Sequence, residues 1–189
     1  MADLQPPSAV RRVAQSASRA GGRVFAVGGC VRDVLLDRPI HDWDLEVFGL
    51  DVDTLESLLR KIGNVNAVGR SFGVFKVRLG GMEIDVSVPR TDSKVGPGHR
   101  GIKVMGDPGM PPEEAARRRD LTVNAIMFEI GSDRLFDPFE GVKDLRRRLL
   151  RPVDETTFLD DPLRALRAVQ FAARLGFDTT EELRRLCRS

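Results

Sequence analysis

Between Ala26 and Glu46 the chain reads AVGGCVRDVLLDRPIHDWDLE, and few folds can make use of such a stretch. An apolar run, Val24 to Val27, ends in Gly28-Gly29, where the backbone can turn tightly and bring bare N–H groups to a ligand. Cys30 to Leu36 then reads as a helix, with Val31, Val34 and Leu35 spaced for one buried face. A helix that opens behind a glycine pair offers its free N–H groups to an anion. Arg32 stands in the first turn, away from that buried face, where its guanidinium could fork onto a phosphate. The plainer alternative is a surface arginine beside an ordinary strand–helix turn. From Asp42 onward the residues alternate, with Asp42, Asp44 and Glu46 on one side and Trp43, Leu45 and Val47 on the other. A period of two predicts a strand with two carboxylates pointing the same way, roughly 6–7 Å apart. Such carboxylates can share a pair of Mg²⁺ ions about 4 Å apart. The alternative is a solvated strand face. Asp is a poor strand former, however, and two of them among Trp, Leu, Val and Phe ask for a reason. Glu46 reads as a surface residue or a group supporting the ligands from behind. His41 has only His99 for company in the whole chain, so a histidine-rich metallophosphohydrolase is a poor fit.

Size and composition bound the rest. A chain of 189 residues, 41% hydrophobic and 31% charged, suits one core, or one domain with an extension. No stretch is long and apolar enough to cross a membrane, and Met1 to Pro7 lacks the apolar segment of a signal peptide. Cys30 and Cys187, the only two cysteines, lie far apart in sequence. Together these features predict no structural disulfide and a cytoplasmic location. The net charge is only +2, but Arg117-Arg118-Arg119, Arg146-Arg147-Arg148 and Arg151 gather in the second half. Basic patches beside a metal site suit polyphosphate or nucleic acid; arginine-rich surface helices are the alternative.

Taken in order, residues 8 to 20 read as an amphipathic helix that Ser8 could cap. Asp53 opens a second helix, with Glu56 completing a capping box and Leu55, Leu58, Leu59 and Ile62 as its buried stripe. A short strand is expected over Val65 to Val68. Val74 to Leu79 and Met82 to Val88 form a hairpin around Gly80-Gly81. Glu83, Asp85 and Ser87 share one face of its second strand. If that strand lies beside the first acidic strand, Asp85 is the third carboxylate, with Glu83 as its rival. From Pro89 to Pro112 the apolar period breaks, and Gly96 to Gly101 with His99 reads as part of a long connection. Glu113-Glu114 opens a helix behind Pro111-Pro112. Thr122 and Asn124, set in an apolar run, should be hydrogen-bonded. Asp160-Asp161-Pro162 opens a strong helix ended by Gly176. Asp161 and Arg164 share one of its faces. A last short helix leaves Leu183 and Leu186 without cover, which suggests that more chain should follow.

Four separated blocks resemble the class II tRNA nucleotidyltransferase and bacterial poly(A) polymerase family, within the DNA polymerase beta-like nucleotidyltransferases. Val27 to Asp33 with Asp42-Trp43-Asp44 is similar to its nucleotide- and metal-binding signature. Arg118 to Ile126 resembles its arginine-rich motif, which supports the ribose and triphosphate. Asp137 to Gly141 with Asp144-Leu145 resembles the hinge between head and neck. Asp161 to Ala168 resembles the neck motif that reads the incoming base. The resemblance covers about residues 20–177. It implies an α+β fold, a nucleotidyltransferase head with a central mixed sheet flanked by helices, followed by the start of an all-helical neck. The expected divisions are an N-terminal helix over 1–20, the head over 21–145 and an incomplete neck over 146–189.

The resemblance also implies roles. Asp42 and Asp44 would hold two catalytic Mg²⁺ ions, with Asp85 beside them on geometric grounds. Gly28, Gly29 and Arg32 would meet the triphosphate, and Arg118 or Arg119 would join the nucleotide pocket together with Asp120 and Asn124. Asp161 and Arg164, with Arg167 in the same motif, would face the Watson–Crick edge of CTP or ATP, a carboxylate accepting from an exocyclic amine and a guanidinium donating to a ring nitrogen or carbonyl. The implied reaction adds CMP and AMP to an RNA 3′-hydroxyl, tRNA CCA addition or repair above all. Poly(A) addition is the rival within the family, and a non-catalytic nucleotide- or RNA-binding module the rival outside it. Leu121 replaces the usual Phe and Gln170 a common arginine. No counterpart of the family's body and tail precedes Ser189, so the grip on tRNA is expected to need a missing C-terminal part.

Overall fold

The computed structural model describes residues 4–67, 69–94 and 102–188. Helix α1 (Ser8–Arg19) leads into β1 (Arg23–Val27), α2 (Gly29–Leu35), β2 (Trp43–Phe48) and α3 (Val52–Ile62). Three strands follow: β3 (Asn64–Asn66), β4 (Val74–Leu79) and β5 (Met82–Ser87). After β6 (Arg90–Lys94), β7 (Ile102–Gly106) and α4 (Pro112–Arg117) come β8 (Met127–Ile130) and β9 (Arg134–Phe136). The chain closes with α5 (Gly141–Arg147), β10 (Leu149–Leu150), α6 (Glu155–Asp160), α7 (Leu163–Leu175), β11 (Asp178–Thr179) and α8 (Glu181–Leu186). The main sheet runs β3-β4-β5-β2-β1-β8-β9. It is mixed, since β2 and β5 are parallel while β1 is antiparallel to both its neighbours. This is the α+β head with a mixed central sheet and flanking helices that the motifs imply.

The two faces of the sheet differ, and the difference places the site. Trp43, Leu45 and Val47 of β2 and Ile84, Val86 and Val88 in and just after β5 enter the main core with Val10, Val13 and Ala14 of α1 and Leu55 and Leu59 of α3. Alternation sends Asp44, Glu46, Glu83, Asp85 and Ser87 to the other face. A second, smaller cluster covers part of that face, where Phe25, Val27 and Phe48 meet Ala115 and Ala116 of α4. Acidic residues are tolerated in buried strands here because their own side of the sheet is only partly roofed.

Several local expectations change. Helix α1 begins at Ser8 behind Pro7, without a side-chain cap. Asp51, not Asp53, caps α3, accepting from the Thr54 N–H at 2.8 Å; Glu56 instead takes Arg60 and Arg70 at 2.7 Å each. The strand expected over Val65 to Val68 is Asn64–Asn66. The stretch after Pro89 contains a two-stranded antiparallel ribbon, β6 with β7, in register from Arg90↔Gly106 to Lys94↔Ile102. The segment RTDSK has no apolar residue to carry a period, so only the backbone ladder reveals the strand. His99 and the rest of Gly96–Gly101 lie outside the described residues.

The C-terminal part departs most. Leu183 and Leu186 are buried in the main core together with Leu175 and Phe177, so α8 does not lack cover. Parallel pairing of β10 with β11 draws it in. Helix α7 instead turns Leu163, Leu166 and Val169 outward, Leu166 at 68% exposure, and buries Ala168 and Leu175. Asp161 precedes α7, where its Oδ1 accepts from the Leu163 N–H at 3.0 Å, so it does not share a helix face with Arg164.

Candidate active site

Strand register brings the acidic residues together. Asp44 of β2 stands opposite Asp85 of β5, and Asp85 stands opposite Lys76 of β4. Residues paired in this way point to the same face, so Lys76, Asp85 and Asp44 form one row across three strands. The Lys76 ammonium donates to both Asp85 oxygens, at 2.9 and 3.2 Å, and to Glu83 Oε1 at 3.2 Å. Glu83 lies opposite Arg78, so of the two acidic residues it is Asp85 that faces Asp44. Asp42 is exposed and lies just ahead of β2.

The Asp44 carboxyl is pushed above the usual range. Burial is the largest cause and the charge of Asp85 the next; Arg119 pulls the other way, Asp42 adds to the rise, and Lys76 opposes it. A half-buried carboxylate crowded by like charges is relieved by a hard divalent cation, for which oxygen donors are the natural ligands. Asp44 and Asp85 fit such an ion. Among the described residues no three His, Cys, Asp or Glu side chains are already gathered around one point, and Asp42 lies outside the pair.

Arginines fill the space above the row. Arg119 lies across Gly28: a Cβ built there would stand 3.2 Å from Arg119 Nη1 and 4.0 Å from Asp44 Oδ2. Gly28 also has φ +72° and ψ −127°, a region essentially reserved for glycine. This one position therefore needs glycine for two reasons. Arg119 Nη2 reaches Glu46 Oε2 at 3.4 Å, while its buried Nε has no hydrogen-bond partner, an incomplete set that an anion would complete. Glu46 is buried, which excludes the surface reading and makes it the carboxylate that holds Arg119.

Arg32 is only 2% exposed, contrary to the open position read from its helix turn. Its Nε and Nη2 reach Asp33 Oδ1 at 2.9 and 2.8 Å, and its Nη1 reaches Asn124 Oδ1 at 2.7 Å. Asn124 donates to Asp120 Oδ1 at 3.1 Å, and Asp120 Oδ2 accepts from Arg167 Nε at 2.7 Å. Both guanidiniums lie over the Phe171 ring, Arg32 at 5.1 Å and Arg167 at 5.5 Å. The polar chain thus closes through an aromatic ring, joining α2, the turn at Thr122–Asn124 and α7. Thr122, the other polar member of that run, donates to Asp144 at 2.7 Å.

Two adjoining cavities, about 360 and 530 Å³, open over these groups and share Asp44, Arg90, Arg118, Arg119, Asp161 and Arg164. Asp85 lines the first; Gly28, Gly29, Arg32, Asp120, Asn124 and Arg167 line the second. Every site residue read from the sequence except Asp42 therefore borders one or both of these adjoining cavities. Arg164 Nη2 donates to the Arg118 carbonyl at 2.7 Å, tying α7 to the arginine run. Arg90 went unread because it opens the stretch where the apolar period stops; its one signal is its place five residues after Asp85.

Carboxylates facing across two strands, below an arginine-lined space that ends at a helical arm, define a nucleotidyltransferase head. The sequence matches the Poly A polymerase head domain family over residues 24–151, and the chain belongs to that family, which CCA-adding enzymes share. It is 43% identical over 169 residues to the Multifunctional CCA protein of Stenotrophomonas maltophilia (strain K279a), covering 88% of this chain and 40% of the relative. It is 44% identical over 161 residues to the Multifunctional CCA protein of Xylella fastidiosa (strain 9a5c), covering 84% and 37%. Among solved structures, the Bacillus stearothermophilus CCA-adding enzyme in complex with CTP superposes with a TM-score of 0.81 at 30% identity, over 97% of this chain and 43% of that one. The chain thus spans about two fifths of the length of these curated relatives. No helix among the described residues is long and apolar enough to cross a membrane.

Proposed function

We propose that this chain is the catalytic head of an enzyme that transfers CMP and AMP from CTP and ATP to the 3′-hydroxyl of tRNA, adding or repairing its CCA end without a nucleic acid template. The observation that carries this reading is the meeting of Asp44 and Asp85 across parallel strands, beneath a space that also reaches Asp161 and Arg164. On this reading residues 21–145 are the head, 146–189 form helices of the neck, and the reaction takes place in the cytoplasm.

Asp44 and Asp85, joined by the exposed Asp42 whose charge already bears on Asp44, would hold two Mg²⁺ ions, which when bound activate the attacking hydroxyl and offset charge on the triphosphate and leaving pyrophosphate. The chain's own residues do the rest. Gly28 and Gly29 let the phosphates come close to the backbone. Arg119, held by Glu46, offers its unpartnered Nε to a phosphate oxygen. Arg32, fixed by Asp33 and Asn124, keeps the arginine pocket in shape. Asp161 and Arg164 read the base edge, and their bonds to the Leu163 N–H and the Arg118 carbonyl hold the two side chains in place before substrate arrives.

The test is primer extension on tRNA lacking its 3′ end, with Mg²⁺ and each nucleotide alone and combined. Weak, non-processive addition in the order C, C, A is expected of this chain by itself. A-only tailing would replace this reading with poly(A) synthesis, and Mg²⁺-dependent CTP and ATP binding without pyrophosphate release would make the chain a binding module. In the same assay Arg164→Ala should lower the preference for CTP and ATP over UTP and GTP by about 10- to 100-fold, the value of one good bidentate base contact. An equal loss for all four nucleotides would remove Arg164 from base reading.

A further inference from the structure

Lys76 is not part of any motif that marks the site, yet it contacts the carboxylate facing Asp44. It stands directly opposite Asp85, grips both Asp85 oxygens, and has a second seat on Glu83 at 3.2 Å. The side chain is 51% exposed, so it can leave Asp85 without unfolding anything. An ammonium in this position carries out part of what a bound cation does: it offsets the charge that Asp85 adds to Asp44. Any divalent ion held by Asp44 and Asp85 must share Asp85 with it or displace it.

We propose that Lys76 is a positioning residue that serves as the site's built-in counter-cation, neutralising Asp85 when no metal is bound and competing with the metal for it, so that it sets the metal concentration at which the site fills. This rests on the metal reading of Asp44 and Asp85 given above. The simpler view, an ordinary exposed ion pair, predicts at most a small change in stability and no effect on metal affinity.

The two views separate in a Mn²⁺ titration of this chain, with free Mn²⁺ followed by electron paramagnetic resonance. Lys76→Met should bind Mn²⁺ about three- to tenfold more tightly, as removal of one charge a few ångströms from a divalent ion implies at a partly exposed, salt-screened position. Lys76→Arg, which keeps the charge, should stay close to the unmodified chain. An unchanged or weaker Mn²⁺ affinity in the folded Lys76→Met variant overturns the role of Lys76 alone. Asp44→Asn is the control for the underlying reading. Loss of the Mn²⁺ site there, together with tightening in Lys76→Met, supports both; a Mn²⁺ affinity indifferent to Asp44→Asn overturns the metal reading and Lys76 with it.

Discussion

Asp44→Asn should abolish nucleotidyl transfer and, in the absence of metal, make the protein harder to unfold. The loss of activity follows from removing the better buried of two facing carboxylates. A metal-held transition state is worth several kcal/mol, so turnover should fall by at least about 10³-fold. The gain in stability follows from the sign of the Asp44 shift. Its folded-state carboxyl sits above the ordinary range, through burial and then the Asp85 charge. The folded protein therefore binds that proton more tightly than the unfolded chain. The associated stability is fully present in acid, below the unfolded value, and is lost as pH rises through the raised one. In EDTA, Asp44→Asn should melt higher than the unmodified chain near neutral pH, and the difference should close in acid. Thermal melts across pH, with and without Mg²⁺, check this; a lower melting temperature for the variant in EDTA at neutral pH would mean that Asp44 is satisfied without metal.

Arg32→Met should be the most destabilising single change at the site. It removes a buried guanidinium that three hydrogen-bonding contacts and one aromatic face hold in place, and it leaves Asp33 a buried carboxylate without its main partner. Breaking a buried pair in this way costs about 3–5 kcal/mol, which for a chain of this size lowers the melting temperature by roughly 6–20 °C. Arg32→Lys should recover only part of this, because a single ammonium cannot reproduce the fork between Asp33 and Asn124. Urea denaturation of both variants measures the cost. A loss of nucleotide affinity with stability intact would instead return Arg32 to the direct phosphate role that the sequence suggests.

Much of the fold was readable wherever apolar period and glycine punctuation agreed. The β4–β5 hairpin around Gly80-Gly81 lies as expected apart from its last residue, Val88, and Trp43, Leu45 and Val47 face the core as their alternation requires. What local pattern cannot supply is partnership between distant strands. Asp85 and Glu83 have the same local pattern, and only the parallel pairing of β5 with β2 sets one of them against Asp44. Arg32 was expected in the open, and Glu46 was left between a surface and a supporting role, for a related reason: a charged residue is normally solvated, and the partners that allow burial, Asn124 and Arg119, come 92 and 73 residues later. Of the ribbon, β6 is polar throughout and leaves no periodic trace, while the alternation of Ile102 and Val104 with Lys103 in β7 is too short to stand out between glycine-rich turns. The cover of the last helix, α6 with the main core behind it, comes from a fold-back that no local signal announces.

That fold-back has a thermodynamic consequence. Leu175, Phe177, Leu183 and Leu186 belong to the same buried cluster as Val24, Leu45 and Val86. The arm that carries Asp161 and Arg164 is therefore closed at both ends, by β10 where it leaves the head and by β11 where it returns. It has no separate interior to melt on its own. The Gly28 end of the cavity and its Asp161 end should therefore unfold together, so that a heat or denaturant stress that loosens one is expected to give up the other at the same midpoint.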